Sequence, residues 1–202
     1  MQAGDDRFIP LVVDAGALLK TDLSQERVLQ FLARMPWQAW RLPLWFLQGR
    51  TKFRRELQTR VPMDISAMVL AGDTLAHISS ARSQGRSVYI ASADDSSLVP
   101  QLVDAVGASG AFIDTGEAGG EDRALALNAA LGAGGYEYIG SRLRDFPVWQ
   151  SARGIVAISR SESFGRRVHE TFPHAQIIKR PRPALSAYSR ALRPHQWAKN
   201  AL

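Results

Sequence analysis

The stretch FIPLVVDAGALLKTDL, residues 8–23, decides the fold. Its first seven residues form an apolar, β-rich run that closes on Asp14, and small residues follow at once. A run that is apolar throughout, rather than at alternate positions, is the pattern of a strand covered on both faces. Four more such runs follow: SVYIAS at 87–92, AFID at 111–114, YEYIG at 136–140 and GIVAIS at 154–159. Helical patterns at 95–107, 120–132 and 144–152 fit between them. Strand and helix in alternation predict an α/β fold, a doubly wound, Rossmann-like parallel sheet of about five strands in three αβα layers.

The interval between the first two runs breaks this rhythm. Residues 22–84 are too many for one crossover and read as several helices, interrupted by Pro36, Pro43, Gly49 and Pro62. An insert straight after the first strand falls at the C-terminal edge of the sheet, where such folds bind ligands, so it is placed to act as a cap. The expected division is an α/β core over 1–21 and 85–178, a helical cap over 22–84, and a basic linker over 179–202. AQIIK (175–179) fits a further short strand, and Pro181 and Pro183 mark the linker.

Of the 202 residues, 46% are hydrophobic and 22% charged, enough apolar material for a core and too much for wholesale disorder. The absence of cysteine excludes disulfides, thiolate zinc sites and thiol catalysis. The N-terminus, MQAGDDRFIP, is acidic where a signal peptide is basic and then apolar, and no uncharged apolar run approaches the ~18 residues of a membrane span. Neither secretion nor integral membrane insertion is expected of these residues. The net charge of +6 is unevenly spread: residues 1–152 carry 15 basic against 17 acidic side chains, and residues 153–202 carry 10 against 2. A second basic tract, 34–60, has seven basic residues against Glu56 alone. Neither tract carries a nucleic-acid-binding motif, and no nucleic-acid partner is expected.

In a parallel sheet the C-terminal ends of the strands face one crevice. Those ends hold Asp14, Ser92 and the segment from Ser141 to Asp145, and Arg123 opens the helix before the fourth strand. Such a set suits phosphate: a carboxylate as nucleophile or metal ligand, with a hydroxyl and a guanidinium on the phosphoryl oxygens. The same residue types also begin loops and cap helices, and spacing alone leaves both readings open.

The motifs add a family. LVVDAGALLKTDL resembles the first motif of the haloacid dehalogenase-like hydrolases, an apolar strand ending in Asp-x-Asp-Gly-Thr-Leu. YIGSRLRDFPVW resembles their fourth motif, Gly-Asp-x-x-x-Asp, with Gly140 and Asp145 matching. Ser92 fits the second-motif hydroxyl, Arg123 the third-motif cation, and the helical insert the family's cap. More narrowly, LLKTDL, PLWFLQGR, DFPVW and LRPHQWAKN resemble the domain of this type that precedes the membrane part of UbiA-type polyprenyl transferases. In the family the first Asp attacks phosphorus and a second, two residues on, protonates the leaving group. With Asp14 as nucleophile the acid position here is Gly16; in the other register Val13 and Ala15 replace the two acids. Ser141 stands where the fourth motif has its first acidic residue, leaving Asp14 and Asp145 as a weak set for Mg²⁺, the ion that residual activity would need.

The resemblance therefore implies a catalytically degenerate domain on the cytoplasmic face of the membrane, with a regulatory or phosphate-sensing role. Its partners would be a transmembrane prenyltransferase domain and a phosphate-containing small molecule held by Ser92, Arg123 and Ser141. Two alternatives stand beside it: an active Mg²⁺-dependent phosphatase acting through Asp14, and a membrane-surface interaction module. For membrane contact the candidates are Trp37, Trp40, Arg54 and Arg55 in the insert, with Trp45 and Phe46 expected inside. In the tail they are Arg190, Arg193, Trp197 and Lys199. Indoles beside arginines suit a surface of anionic lipid.

Overall fold

The computed structural model describes residues 9–20, 23–62, 65, 68–92, 98–113 and 120–180. The chain divides into two compact units, Met1–Asp22 with Met63–Arg180, and Leu23–Pro62 with Pro181–Leu202.

The first unit is built on six parallel strands: β1 (Leu11–Asp14), β2 (Val88–Ser92), β3 (Gly110–Ile113), β4 (Glu137–Gly140), β5 (Gly154–Ser159) and β6 (Gln176–Lys179). They lie in the order β3-β2-β1-β4-β5-β6, so the winding reverses between β1 and β4. The first strand is thus central, as its unbroken apolar run requires. Leu11 and Val13 face a layer containing Ile78, Ile90, Leu102 and Ile139, while Val12 faces Tyr136, Tyr138, Val148 and Trp149 on the other side. Edge strand β3 alternates instead, with Ala111 and Ile113 exposed. The sixth strand, QIIK, is the further short strand that the sequence offered beside the five; Arg180 N–H closes it by bonding to the Ser159 carbonyl at 2.7 Å.

The helices of this unit are α1 (Ala15–Leu18), α5 (Gly72–Ser83), α6 (Leu98–Val106), α7 (Gly120–Leu131), α8 (Phe146–Ser151) and α9 (Glu162–Thr171). A 3₁₀ turn, Leu143–Asp145, leads into α8. Trp149 anchors the β4–β5 side, stacked at tilted and edge angles among Phe146, Phe164 and Phe172 with ring centroids 5.4–6.4 Å away.

The second unit comprises α2 (Leu23–Arg34), a 3₁₀ turn (Pro36–Gln38), α3 (Arg41–Leu47) and α4 (Arg50–Arg60). Phe31, Trp45, Leu57 and Val61 are its buried centre. The Trp45 ring meets Phe31 edge-on at 5.4 Å, and the Arg60 guanidinium covers it at 4.7 Å. The helical unit is narrower than the 22–84 expected for the cap. Residues from Met63 onward group with the sheet because α5 buries Ile78 and Ala81 in the same layer as Leu11 and Val13. At the other end, Lys179 belongs to β6 rather than to a linker. Phe46 also departs from expectation: it is 58% exposed, against Phe53. Successive helical residues sit about 100° apart, so with Trp45 turned inward its neighbour turns out. No helix among the described residues is long and apolar enough to cross a membrane.

Candidate functional site

Strand β1 delivers Asp14 to the point where the winding reverses, and the chain turns directly into α1. Asp14 occupies the N-cap position of that helix, yet its side chain makes no capping bond. The carboxylate points elsewhere, which separates it from the helix-capping role that spacing alone left open. It is fully buried. Oδ1 accepts from Arg123 Nη1 at 2.9 Å, and Arg144 Nη2 stands 3.8 Å from the same oxygen. Oδ2 is buried and accepts no hydrogen bond.

Arg123 comes from the first turns of α7, 3% exposed. Its Nη1 also donates to the Tyr138 hydroxyl at 2.9 Å and lies 3.6 Å from Asp145 Oδ1. One guanidinium therefore bridges both carboxylates. Tyr138 in turn stands 3.4 Å from Asp145 Oδ1, as donor. Asp145 Oδ2 accepts the backbone N–H groups of Ser141 at 2.7 Å and Arg142 at 2.9 Å, so this carboxylate does tie down the loop after β4. Burial and then the charge of Asp14 push the Asp145 carboxyl up to about 6, with Arg123 and the two amides acting the other way. Burial, followed by the Asp145 charge, pushes the Tyr138 phenol well above its usual value.

Glycine fixes two of the spacings. A Cβ on Gly16 would lie 2.8 Å from Asp14 Oδ2 and 3.4 Å from Arg142 Nη2. A Cβ on Gly120 would lie 1.7 Å from the Arg144 carbonyl oxygen, so α7 can seat Arg123 against the 141–145 loop only because its first residue has no side chain.

Asp14, Ser92, Arg123 and Asp145 are thus all buried at the strand ends or beside them, with Ser141 half-buried next to Asp145. Sequence reasoning did not single out Arg142, Arg144 or Tyr138. The motif tract SRLRD carries the two arginines in plain view, but loop arginines ordinarily read as solvated. The donors do not fit a divalent cation: Mg²⁺ asks for near-octahedral oxygen ligands, usually with carboxylate among them. Asp14 Oδ1 faces two guanidiniums, both Asp145 oxygens are engaged, and Asp14 Oδ2 is the one uncommitted carboxylate oxygen in this set. No group of three His, Cys, Asp or Glu among the described residues could hold a metal ion.

In the helical unit Trp37 and Trp40 are exposed, at 69% and 62%, and so is Arg55, whereas Arg54 is half-buried. Arg41 lies over the Trp40 ring at 5.4 Å. Arg190, Arg193, Trp197 and Lys199 lie outside the described residues.

No family model matches the sequence. It is 29% identical over 203 residues to the uncharacterized protein y4nM of Sinorhizobium fredii, an alignment that takes in 98% of this chain and 39% of that protein. The chain thus spans about two fifths of the curated relative it matches. Among solved structures, a haloacid dehalogenase family hydrolase from Salmonella enterica serovar Typhi superposes with a TM-score of 0.57 at 14% identity, over 84% of this chain and 68% of that one. Phosphoserine phosphatase in its apo form gives 0.56 at 12% identity, over 87% and 94%. The fold is that of the haloacid dehalogenase-like hydrolases.

Proposed function

We propose that this chain is a non-hydrolytic haloacid dehalogenase-like domain that recognises a phosphate-bearing ligand at the Asp14–Arg123 site. One observation carries the reading: the position two residues after Asp14 is Gly16, which has no carboxyl to offer and whose Cβ would lie 2.8 Å from Asp14 Oδ2. Without a second carboxyl there, a leaving group has no acid to protonate it, a loss of roughly 10²–10⁴-fold. Ser141 in place of an acidic residue weakens any metal set as well. What remains is a basic set: Arg123, Arg142 and Arg144 against Asp14 and Asp145.

The resemblance to UbiA-type polyprenyl transferases supplies the setting. In that setting the domain serves a membrane-embedded prenyltransferase on the cytoplasmic face as a regulatory or ligand-sensing part, and transfer itself belongs to the membrane part. The exposed Trp37 and Trp40, in a tract with seven basic residues, support contact with anionic lipid.

The second reading, an active phosphatase, is favoured by Asp14 Oδ2, a buried carboxylate oxygen at the strand end with no partner. Purified protein with Mg²⁺ and p-nitrophenyl phosphate separates the two. The expected result is turnover no faster than that of Asp14→Asn; turnover that Asp14→Asn abolishes would establish the phosphatase instead.

A further inference from the structure

Helix α3, RLPLWFL, is apolar on two sides. Inward, Trp45 is buried, and Leu42 packs against the centre that Trp45 forms with Phe31, Leu57 and Val61. Outward, Trp40, Pro43, Leu44 and Leu47 are all exposed, Leu47 by 83%. Their spacing, i, i+3, i+4 and i+7, is one face of a helix, and Trp40 at the N-cap already has helical backbone angles. Among the described residues nine large hydrophobic side chains are exposed, and five of them, Trp37, Trp40, Leu44, Phe46 and Leu47, fall within residues 37–47. Scattered singly they would be ordinary; gathered on one short segment they mark a surface that something covers.

The charge around the row selects the cover. Residues 34–60 carry seven basic side chains against Glu56, and Glu56 is paired with Arg60. A second copy of the chain would bring this basic surface against itself. The row offers only an indole N–H for hydrogen bonding, whereas a protein interface makes about one hydrogen bond per 100–200 Å². Anionic lipid meets both features, with an apolar interior for the leucines and negative headgroups for the cations. Arg41 lies over the Trp40 ring at 5.4 Å, which keeps a guanidinium at the level of the indole, as a headgroup boundary requires. We infer that α3 is a wedge lying in one leaflet, entering at a tilt: Trp37 and Trp40 stay at headgroup depth, and Leu44 and Leu47 reach the acyl boundary. Its seven residues rise about 10 Å, far short of the roughly 30 Å of a span, so the wedge enters the surface without crossing. The inference rests on the membrane-surface reading above and deepens it from contact to penetration, through leucines that reading does not use.

The chain has no cysteine, so Leu47→Cys accepts a single fluorescent label. With the labelled full chain and vesicles of phosphatidylcholine and phosphatidylglycerol, emission from position 47 should move to the blue and be quenched by a nitroxide on the acyl chain. A label at Trp37→Cys should be quenched best by a nitroxide on the headgroup. Leu44→Gln with Leu47→Gln should weaken partitioning at least about tenfold and leave the thermal midpoint without lipid unchanged, since both side chains are exposed. Lys52→Gln and Arg55→Gln should each weaken it about fivefold, at low salt only. Vesicle binding with a label at 47 that stays in water overturns the wedge and leaves surface contact standing, whereas no binding to anionic vesicles overturns both. A lipid-free dimer that the leucine pair dissolves would assign the row to a second copy and overturn the inference as well. If the leucine pair disturbs the fold, the label at 47 decides alone.

Discussion

Asp14 and Asp145 are two carboxylates of one motif pair with different work. Asp145 spends one oxygen on the loop amides and keeps a raised carboxyl pKa of about 6 against an ordinary 3.8. Because the folded value is raised, its contribution to stability is full below pH 3.8 and is lost as the pH rises through 6. Asp145→Asn, which keeps the acceptor and removes the charge, should flatten the fall in stability between those values, by about 1.4 kcal/mol per pKa unit removed. Urea midpoints at several pH values check this. At Gly16 the expected outcome is negative: Gly16→Asp puts a side chain against Asp14 Oδ2 and should restore no phosphatase turnover, alone or with Ser141→Asp, in the same ester assay. At this scale the sequence was informative where strand ends put a short polar residue at the crevice, as with Asp14, Ser92 and Asp145. Tyr138 and the two loop arginines stayed hidden because a strand tyrosine looks like core and an arginine two residues from a turn looks like surface. Only the distance from Arg123 to Tyr138 and from Arg144 to Asp14 gives them a role.

Between elements, Arg180 ties the end of β6 to the turn after β1. Its Nη1 donates to the carbonyls of Ala17 at 3.0 Å and Leu19 at 3.2 Å, while Nε and Nη2 grip the Asp73 carboxylate at 3.1 and 2.5 Å. Arg160 reaches the Leu19 carbonyl too, at 2.8 Å. Burial raises the Asp73 carboxyl, but Arg180 and the Thr74 amide outweigh it, so the net shift is downward. That stabilisation is present above pH 3.8 and is lost as the pH falls through the lowered value. Arg180→Gln should cost about 2–3 kcal/mol, speed amide exchange over residues 17–20 and flatten the acid limb of the stability profile. Hydrogen exchange read by residue tests it. Gly120 gives the sharper case: alanine there meets the Arg144 carbonyl, so Gly120→Ala should cost about 3 kcal/mol or more in denaturant unfolding. The strands were legible because both-face burial writes continuous apolar runs, and α6, α7 and α8 fell within the helical patterns read between them. The edge of the insert was not, since α5 hides its few core contacts, Ile78 and Ala81, among serines and small residues.

Taken whole, the parallel, doubly wound sheet followed from the alternation of strand and helix, whereas the order β3-β2-β1-β4-β5-β6 is read only from the structure. Within the helical unit, the short α3 gave too little periodicity to tell Trp45 from Phe46. The exposed indoles at positions 37 and 40 carry the prediction at this scale. Vesicles containing anionic lipid should co-sediment the full chain and shift its tryptophan emission to the blue, and Trp37→Ala with Trp40→Ala should reduce binding by about tenfold. Equal binding to neutral and anionic vesicles would remove the electrostatic part of the proposal.

Arg180 has one more consequence, a mechanical one. It is the residue immediately before Pro181, and its side chain holds the backbone that follows Asp14. A pull applied to the backbone beyond Arg180 would load its N–H bond to the Ser159 carbonyl and, through its side chain, Asp73 and the Ala17 and Leu19 carbonyls. Such a load would reach the backbone beside Asp14 through the same residue that closes the sheet edge.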